Sequence, residues 1–225
     1  MVNFAKSQPT PTSLANGSYN NGEVLNRLKD DFKNKCYLCE QKGLTNIQVE
    51  HFIPHQGNNA LKYSWNNLFW ACVHCNNIKL DLYNTTSENQ LLNCINLEHD
   101  VVNSIHYQTS PFPKENFTFE SCCSLVNQPN TIENTAQLLC KIYNGHTALK
   151  TIEALAIREA TLQELRKLKK ALYQYYSAQL PDNQKQIYFY KIQRLLSKES
   201  PFTAFKRWYV IEREAIREEF ELYFD

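Results

Sequence analysis

Two short cysteine pairs bracket the stretch of this chain that is richest in usable chemistry. Cys36-x-x-Cys39 and Cys72-x-x-Cys75 are separated by 32 residues. Thiolates spaced this way can share one cation, and four of them complete a tetrahedral zinc site with no open position. Such a zinc holds a fold together and takes no part in a reaction. The alternative is four unrelated reduced thiols, and the regularity of the two pairs argues against it.

Between and just after the pairs lies a second set of residues of a different kind. Val49-Glu50-His51-Phe52-Ile53-Pro54 is followed by Trp65-Asn66-Asn67-Leu68, and Asn76 and Lys79 come after the last cysteine. His51 has the type of a general base, since an imidazole titrates near neutrality and can take a proton from water. Glu50 offers a hard oxygen to a cation, and Asn76 offers a second. Two oxygen ligands with open water positions favour Mg²⁺ or Mn²⁺ over zinc. A metal so placed holds a phosphate oxygen and stabilises the leaving oxygen of an in-line displacement. Lys79, one helical turn beyond Asn76, is positioned to meet a substrate phosphate, and Asn67 can fix the loop that carries His51 by bonding its backbone.

The elements that must position these groups can be read from local pattern. Residues 47–53 predict a strand stopped by Pro54, residues 65–70 a second short apolar strand, and residues 72–82 a helix with Ile78 and Leu82 on one face. A regular strand points Glu50 and His51 to opposite faces, so bringing both to one site needs the strand's end or a distortion near Pro54. Ahead of this unit, residues 7–22 predict a polar, extended arm, and residues 23–34 a helix with Val24, Leu25, Leu28 and Phe32 at helical spacing.

Residues 83–130 carry two short strand candidates, Val101–Tyr107 and Phe117–Glu120. Cys94, His99 and His106 are metal-ligating by type, but their spacing matches no ligand pattern; the adjacent Cys122 and Cys123 suggest only small, soft side chains, and Cys140 is a further cysteine with no pattern around it. From Thr131 the chain reads as helical: 131–143, a long helix capped by Thr147 and reaching about 178, a third from Pro181 to Lys198, and a last one opened by Ser200-Pro201. Their inward positions are read as Leu155, Leu162, Leu165, Leu168, Leu172 and Tyr176, then Ile187, Tyr190 and Leu195, then Phe205, Tyr209, Ile216 and Phe220. Arg166, Lys167, Lys169 and Lys170 form a basic run that is either a solvated face or a contact for nucleic acid or a partner. Glu218, Glu219, Glu221 and Asp225 place acid at a helix C-terminus, where it opposes the macrodipole.

Composition narrows the class. With 225 residues, 43% of them hydrophobic, the chain is of globular type and is divided here into an arm and short helix at 1–30, a core at 31–95 and a mainly α-helical domain at 96–225. Net charge is +1, from 24 basic and 23 acidic residues, so any nucleic-acid contact rests on a local patch or a partner and not on a global basic excess. The N-terminal residues show no signal-peptide pattern and no run suits a membrane, which predicts a cytoplasmic protein whose eight cysteines are reduced.

The central stretch resembles the HNH endonuclease motif, the ββα-metal fold, in its zinc-knuckle form. That motif runs Cys-x-x-Cys, Asp/Glu-His-Ile-x-Pro, Asn-Leu, Cys-x-x-Cys-His/Asn-x-x-Lys, and this chain gives Cys36/Cys39, Glu50-His51-Phe52-Ile53-Pro54, Asn67-Leu68 and Cys72/Cys75-Asn76-x-x-Lys79. The resemblance implies an α+β fold, with a ββα-metal core holding a structural zinc and a helical region after it. It implies His51 as general base, Glu50 and Asn76 as ligands of a catalytic Mg²⁺ or Mn²⁺, and Asn67 as the residue that orients the His51 loop. Glu50 stands where Asp is commoner and Asn76 where His is commoner; His74 lies inside the second knuckle and is not given the final-His role.

A wider likeness takes in the Pro/Thr-bearing arm and Pro201-Phe202-Thr203-Ala204-Phe205-Lys206-Arg207-Trp208. With the core, these are similar to the HNH nuclease subunit of Septu-type and retron-associated anti-phage systems. That implies an effector bound to an ABC-type ATPase, in some systems with a retron reverse transcriptase and its nucleic acid. The expected activity is hydrolysis of phosphodiester bonds, in DNA first and RNA second. A non-catalytic zinc-ribbon binding module and a stand-alone restriction or homing nuclease are the competing readings.

Overall fold

The computed structural model describes residues 1–82, 90–123 and 130–224. In the central unit, β1 (Ile47–His51) pairs antiparallel with β2 (Leu68–Cys72), and α4 (Val73–Leu82) follows β2 without a connecting residue. The register sets Ile47 opposite Cys72, Glu50 opposite Phe69 and His51 opposite Leu68. β2 is buried along its whole length, as its LFWAC sequence requires, whereas β1 is mostly half-exposed. This is the expected order of strand, loop, strand and helix. The loop also carries α3 (Asn59–Lys62), capped by the Asn58 side chain, and a single tight turn at Trp65–Asn67.

The N-terminal residues differ from the extended arm expected of them. Residues 12–15 form a short helix, α1 (Thr12–Ala15), and α2 (Gly22–Asp31) is capped by the side chain of Asn21. Phe4 is buried against Phe32, with ring centroids 5.2 Å apart, and the Trp65 indole donates to the Ser7 carbonyl at 3.0 Å. A polar, proline-bearing segment reads as mobile by composition; here Phe4 and Leu14 anchor it to the core by burial.

β3 (Ile105–Gln108) and β4 (Thr118–Ser121) form a second hairpin, each shorter than or offset from its expected bounds. The helices α5 (Thr131–Asn144), α6 (Ala148–Tyr175) and α7 (Asp182–Leu196) match the reading closely, and Thr147 caps α6 through the Lys150 amide. Gly145, at φ 77° after α5, is required twice over: a Cβ there would sit 2.5 Å from the Thr151 backbone. The last helix is two, α8 (Thr203–Ile211) and α9 (Glu214–Phe220), broken at Glu212–Arg213.

Two inward faces also differ from the reading. Leu162, Leu165, Leu168 and Leu172 are buried, but Tyr176 of the same stripe is exposed. On α7 the buried residues are Ile192 and Leu196, while Ile187 and Tyr190 face solvent. That helix carries apolar residues nearly all round, so spacing alone does not choose its inner face.

The apolar packing falls into two clusters that divide within α6. The larger one joins Phe4, Leu28, the cysteine region, β2, the second hairpin, α5, Leu162 of α6 and Phe205 of α8. The smaller one joins Leu165 to Leu172 with Ile192, Leu196, Val210 and Phe220. The zinc-type frame is thus clasped by the helical half: the Tyr143 hydroxyl donates to the Cys39 carbonyl at 2.8 Å, and the Ala204 amide donates to Glu40 Oε2 at 2.9 Å. Among the described residues, no helix is long and apolar enough to cross a membrane.

Candidate metal centre and active site

The four cysteines converge. Their sulfurs lie within 4.8 Å of one another in a fully buried cluster, and Cys39 and Cys72 are 3.9 Å apart. Two sulfurs bound to one tetrahedral zinc at about 2.3 Å are separated by roughly 3.8 Å, so the donor set fits that ion. The turns that present them are tight: the Glu40 amide bonds the Cys36 carbonyl at 2.9 Å, and the Cys75 amide points at Cys72 Sγ at 3.5 Å. Four thiols packed so closely compete for negative charge. Burial pushes Cys36, Cys39 and Cys75 up, yet bonds from its three neighbours hold Cys36 well below the usual thiol range, while Cys39 and Cys75 are pushed well above it. A cation at the centre of the cluster relieves this competition. Among the described residues this is the one cluster with metal-ligand geometry; Cys94, His99 and His106 do not assemble, since His99 accepts from the Asn93 amide and His106 bonds Glu212.

His74 does not join the cysteines. Its Nε2 faces the Ile142 carbonyl at 2.9 Å and its Nδ1 faces Glu153 at 2.6 Å, so the second knuckle is tied to α5 and α6.

Glu50 and His51 occupy opposite faces at the end of β1, as strand alternation dictates. On one face, α4 lies along the strand and forms a polar seam with it. Asn76 Nδ2 donates to Gln48 Oε1 at 2.7 Å, and one turn later Lys79 donates to Glu50 Oε1. Lys79 also reaches the carbonyls of His51 at 3.2 Å and Phe52 at 2.9 Å. Glu50 is 3% exposed and Lys79 2% exposed, so Lys79 is not presented to a substrate phosphate as the spacing had suggested; it is the counter-ion of a buried carboxylate. Glu50 Oε2 and the Tyr37 hydroxyl are both buried with no strong hydrogen bond and face each other, and the Tyr37 pKa is pushed far up by burial and then by Glu50. A buried anionic oxygen without a partner is costly. Glu50 and Asn76 lie on one seam and carry oxygen donors of the hard type that suits Mg²⁺ or Mn²⁺.

On the other face, His51 Nε2 lies 3.0 Å from the Lys62 carbonyl. A carbonyl can only accept, so Nε2 carries the hydrogen, and the neutral ring keeps its lone pair on Nδ1. Burial lowers the His51 pKa, only partly offset by the Lys62 carbonyl, and His55, Lys62 and Lys79 lower it further. The ring is packed by Tyr19 at 4.9 Å and His55 at 4.7 Å between centroids, both near edge-on. Asn67 is buried and does what the sequence suggested: its Oδ1 accepts from the Ile53 amide at 2.7 Å, and its Nδ2 donates to the carbonyls of Ile53 at 2.9 Å and Leu61 at 3.0 Å. It therefore stitches together both ends of the loop between His51 and Lys62.

Sequence reasoning passed over Tyr19, His55 and Lys62. Tyr19 belongs to the supposed arm, and nothing local shows that it packs on His51. Lys62 Nζ lies 5.8 Å from the Tyr19 ring and 5.4 Å from the Tyr63 ring, at the mouth of the His51 face. Its position three residues past Asn59 in a capped turn was the available signal.

A zinc-knuckle ββα unit with a histidine at the end of its first strand defines the class to which the site belongs. The family model described as HNH endonuclease matches residues 36–81, the same stretch that carries the cysteines, Glu50, His51, Asn67, Asn76 and Lys79. No curated protein and no solved structure matches the chain.

Proposed function

We propose that this chain is an Mg²⁺-dependent endonuclease that hydrolyses phosphodiester bonds, in DNA first and RNA second, and that it serves as the effector of an anti-phage complex. The observation that carries the nuclease reading is the His51–Lys62 contact, because it leaves the Nδ1 lone pair free on the neutral ring. His51 then takes the proton of the attacking water at Nδ1, the water oxygen bonds to phosphorus, and the ester oxygen leaves in line. Asn67 keeps the His51 loop fixed during that step. Lys62 and His55, at the rim beside His51, take the part of phosphate contacts that burial denies to Lys79. A divalent cation held by Glu50 and Asn76 would supply charge stabilisation at the phosphate and at the leaving oxygen, which requires the substrate to straddle the end of β1 and meet both of its faces.

The defence role and an ABC-type ATPase partner are supported by the Septu-type resemblance and by the near-neutral charge of +1, which gives the chain little global attraction to nucleic acid. Exposed Leu149 and Ile152, three residues apart on α6, offer that partner an apolar contact. One observation favours a non-catalytic zinc-ribbon module instead: Glu50 already has a counter-cation in Lys79. Zinc-loaded protein incubated with labelled DNA and RNA, with and without the ATPase, decides between them. Cleavage that appears on adding Mg²⁺ and is absent without it supports the nuclease. No cleavage of any substrate in any combination supports the binding module.

A further inference from the structure

A second surface, built by α6, α8 and α9, has the makings of a binding site that the HNH match at residues 36–81 does not touch. Arg166, Lys169, Tyr173 and Tyr176 recur on α6 at intervals of three, four and three residues, and all four are exposed. They make one stripe of two cations followed by two aromatic rings, about 15 Å long at 1.5 Å per residue. Tyr173 is 74% exposed, which is unusual for a ring of this size on a helix that packs on both sides.

Across from the stripe, the break between α8 and α9 falls where the sequence has neither glycine nor proline. It turns Arg213 back over Tyr209: the guanidinium carbon is 3.6 Å from the ring centroid, and Nη1 donates to the Tyr209 carbonyl at 2.7 Å. Lys169 approaches the same ring at 4.9 Å. Between the two walls runs an open groove of about 740 Å³ lined by Lys169, Leu172, Tyr173, Tyr176, Tyr209 and Ile216.

The charges at this groove are unbalanced. Neither Arg166 nor Lys169 has an ion-pair partner among the described residues, although Lys167 beside them is paired with Glu164. The acidic groups nearby are committed: Glu219 accepts from the hydroxyls of Tyr175 and Tyr176, and Glu212 contacts Arg213 and His106. Unpaired cations in line with exposed ring faces are what a strand with unstacked bases needs, phosphate on the cation and base on the ring. An acidic peptide would use the cations but leave Tyr173 and Tyr176 without a role.

We propose that this groove binds a single strand of nucleic acid, with phosphates on Arg166 and Lys169 and bases stacked on Tyr173 and Tyr176. It is a docking site separate from the His51 face, and it stands whether or not His51 cuts.

The test is fluorescence anisotropy with a labelled ten-nucleotide DNA or RNA strand, on the full zinc-loaded chain without added divalent cation, over a range of salt. Tyr173→Ala should weaken binding roughly tenfold. Lys169→Ala should flatten the slope of log K against log salt by about 0.7, one phosphate contact on a single strand. Both residues are exposed, so circular dichroism should show unchanged folds, and Lys191→Ala on α7 serves as the neutral control. Wild-type binding unaltered in Tyr173→Ala and Lys169→Ala, no binding even at low salt, or displacement of the strand from a groove that a polyglutamate peptide fills more tightly would each overturn the proposal. Strand binding through the groove in a protein that cuts nothing would keep this proposal and reject the nuclease; cutting with groove variants that bind normally would do the reverse.

Discussion

The two candidate metal regions are neighbours in sequence and opposites in construction. The cysteine cluster is fully buried, its four ligands are of one kind, and α5, α6 and α8 grip its two turns through Tyr143, His74 and Glu40. The Glu50–His51–Asn76 group is spread over both faces of one strand end and the adjoining α4, mixes a buried residue with half-buried ones, and leaves a carboxylate oxygen without a strong hydrogen bond. A closed site with every ligand spent contributes folding free energy. A site with an unspent oxygen and a half-exposed base is poor at holding a fold and suited to handling a substrate. The lesson is that adjacency in sequence does not make one site: Cys75 and Asn76 follow one another, yet Cys75 turns into the buried cysteine cluster while Asn76 bonds Gln48 on β1.

The comparison can be broken most easily at the cysteines. Cys36→Ser or Cys72→Ser removes a zinc ligand, and structural zinc contributes on the order of 10 kcal/mol in small domains. The expected outcome is loss of bound zinc and of cooperative thermal unfolding, read by metal analysis and circular dichroism. A variant that keeps its melting transition would show that the cluster is not the frame.

Lys79→Met comes next. It leaves Glu50 as an unpaired buried carboxylate, which should cost about 3–5 kcal/mol in chemical denaturation. Glu50→Gln added to it should recover most of that loss, because the uncompensated charge is gone. If Lys79→Met is neutral, the ion pair is not formed in solution and Lys79 is free to meet a phosphate.

Asn67→Ala tests the loop. Three hydrogen bonds of about 1 kcal/mol each are lost or left unsatisfied, so a stability loss of about 2–3 kcal/mol is expected, together with faster amide exchange at Ile53. Unchanged exchange there would mean that Asn67 does not hold the loop.

A further expected signal is a slope with pH, on the side of the molecule that supports the frame. Lys206 is fully buried, and burial lowers its pKa to about 7, against the pull of Glu164 and Glu40 and with Lys35 adding to the decrease. The unfolded chain keeps that proton up to the ordinary lysine pKa of about 10.4. Between these limits the unfolded state binds more protons, so wild-type stability should rise with pH across that window relative to Lys206→Met. A pH-independent difference between the two proteins would show that Lys206 stays charged in the fold.

Much of the central ββα unit was legible because its ligands announce themselves by spacing. The cysteine pairs and the Asn67-Leu68 step need only local rules, and the structure places each where those rules put it, while the strand expected to run to Pro54 ends at His51. Lys79 was misplaced because spacing gives the face of a helix but not what the facing strand offers; Glu50 offers a buried carboxylate. Tyr19 was passed over because its contact with His51 spans 32 positions of sequence through a turn-rich segment. The outward turn of Tyr176, Ile187 and Tyr190 was hidden by helices that are apolar on more than one side. The break at Glu212–Arg213 carries no local signal, since neither glycine nor proline stands there.

The measurement that tests the central claim most directly compares wild type with His51→Ala, both zinc-loaded and melting at the same temperature, for Mg²⁺-dependent cleavage of labelled nucleic acid. The account predicts that the substitution leaves zinc content and melting unchanged and slows cleavage at least about 100-fold, the lower range for loss of a general base. Equal cleavage by the two proteins, or loss of the fold in His51→Ala, would contradict it.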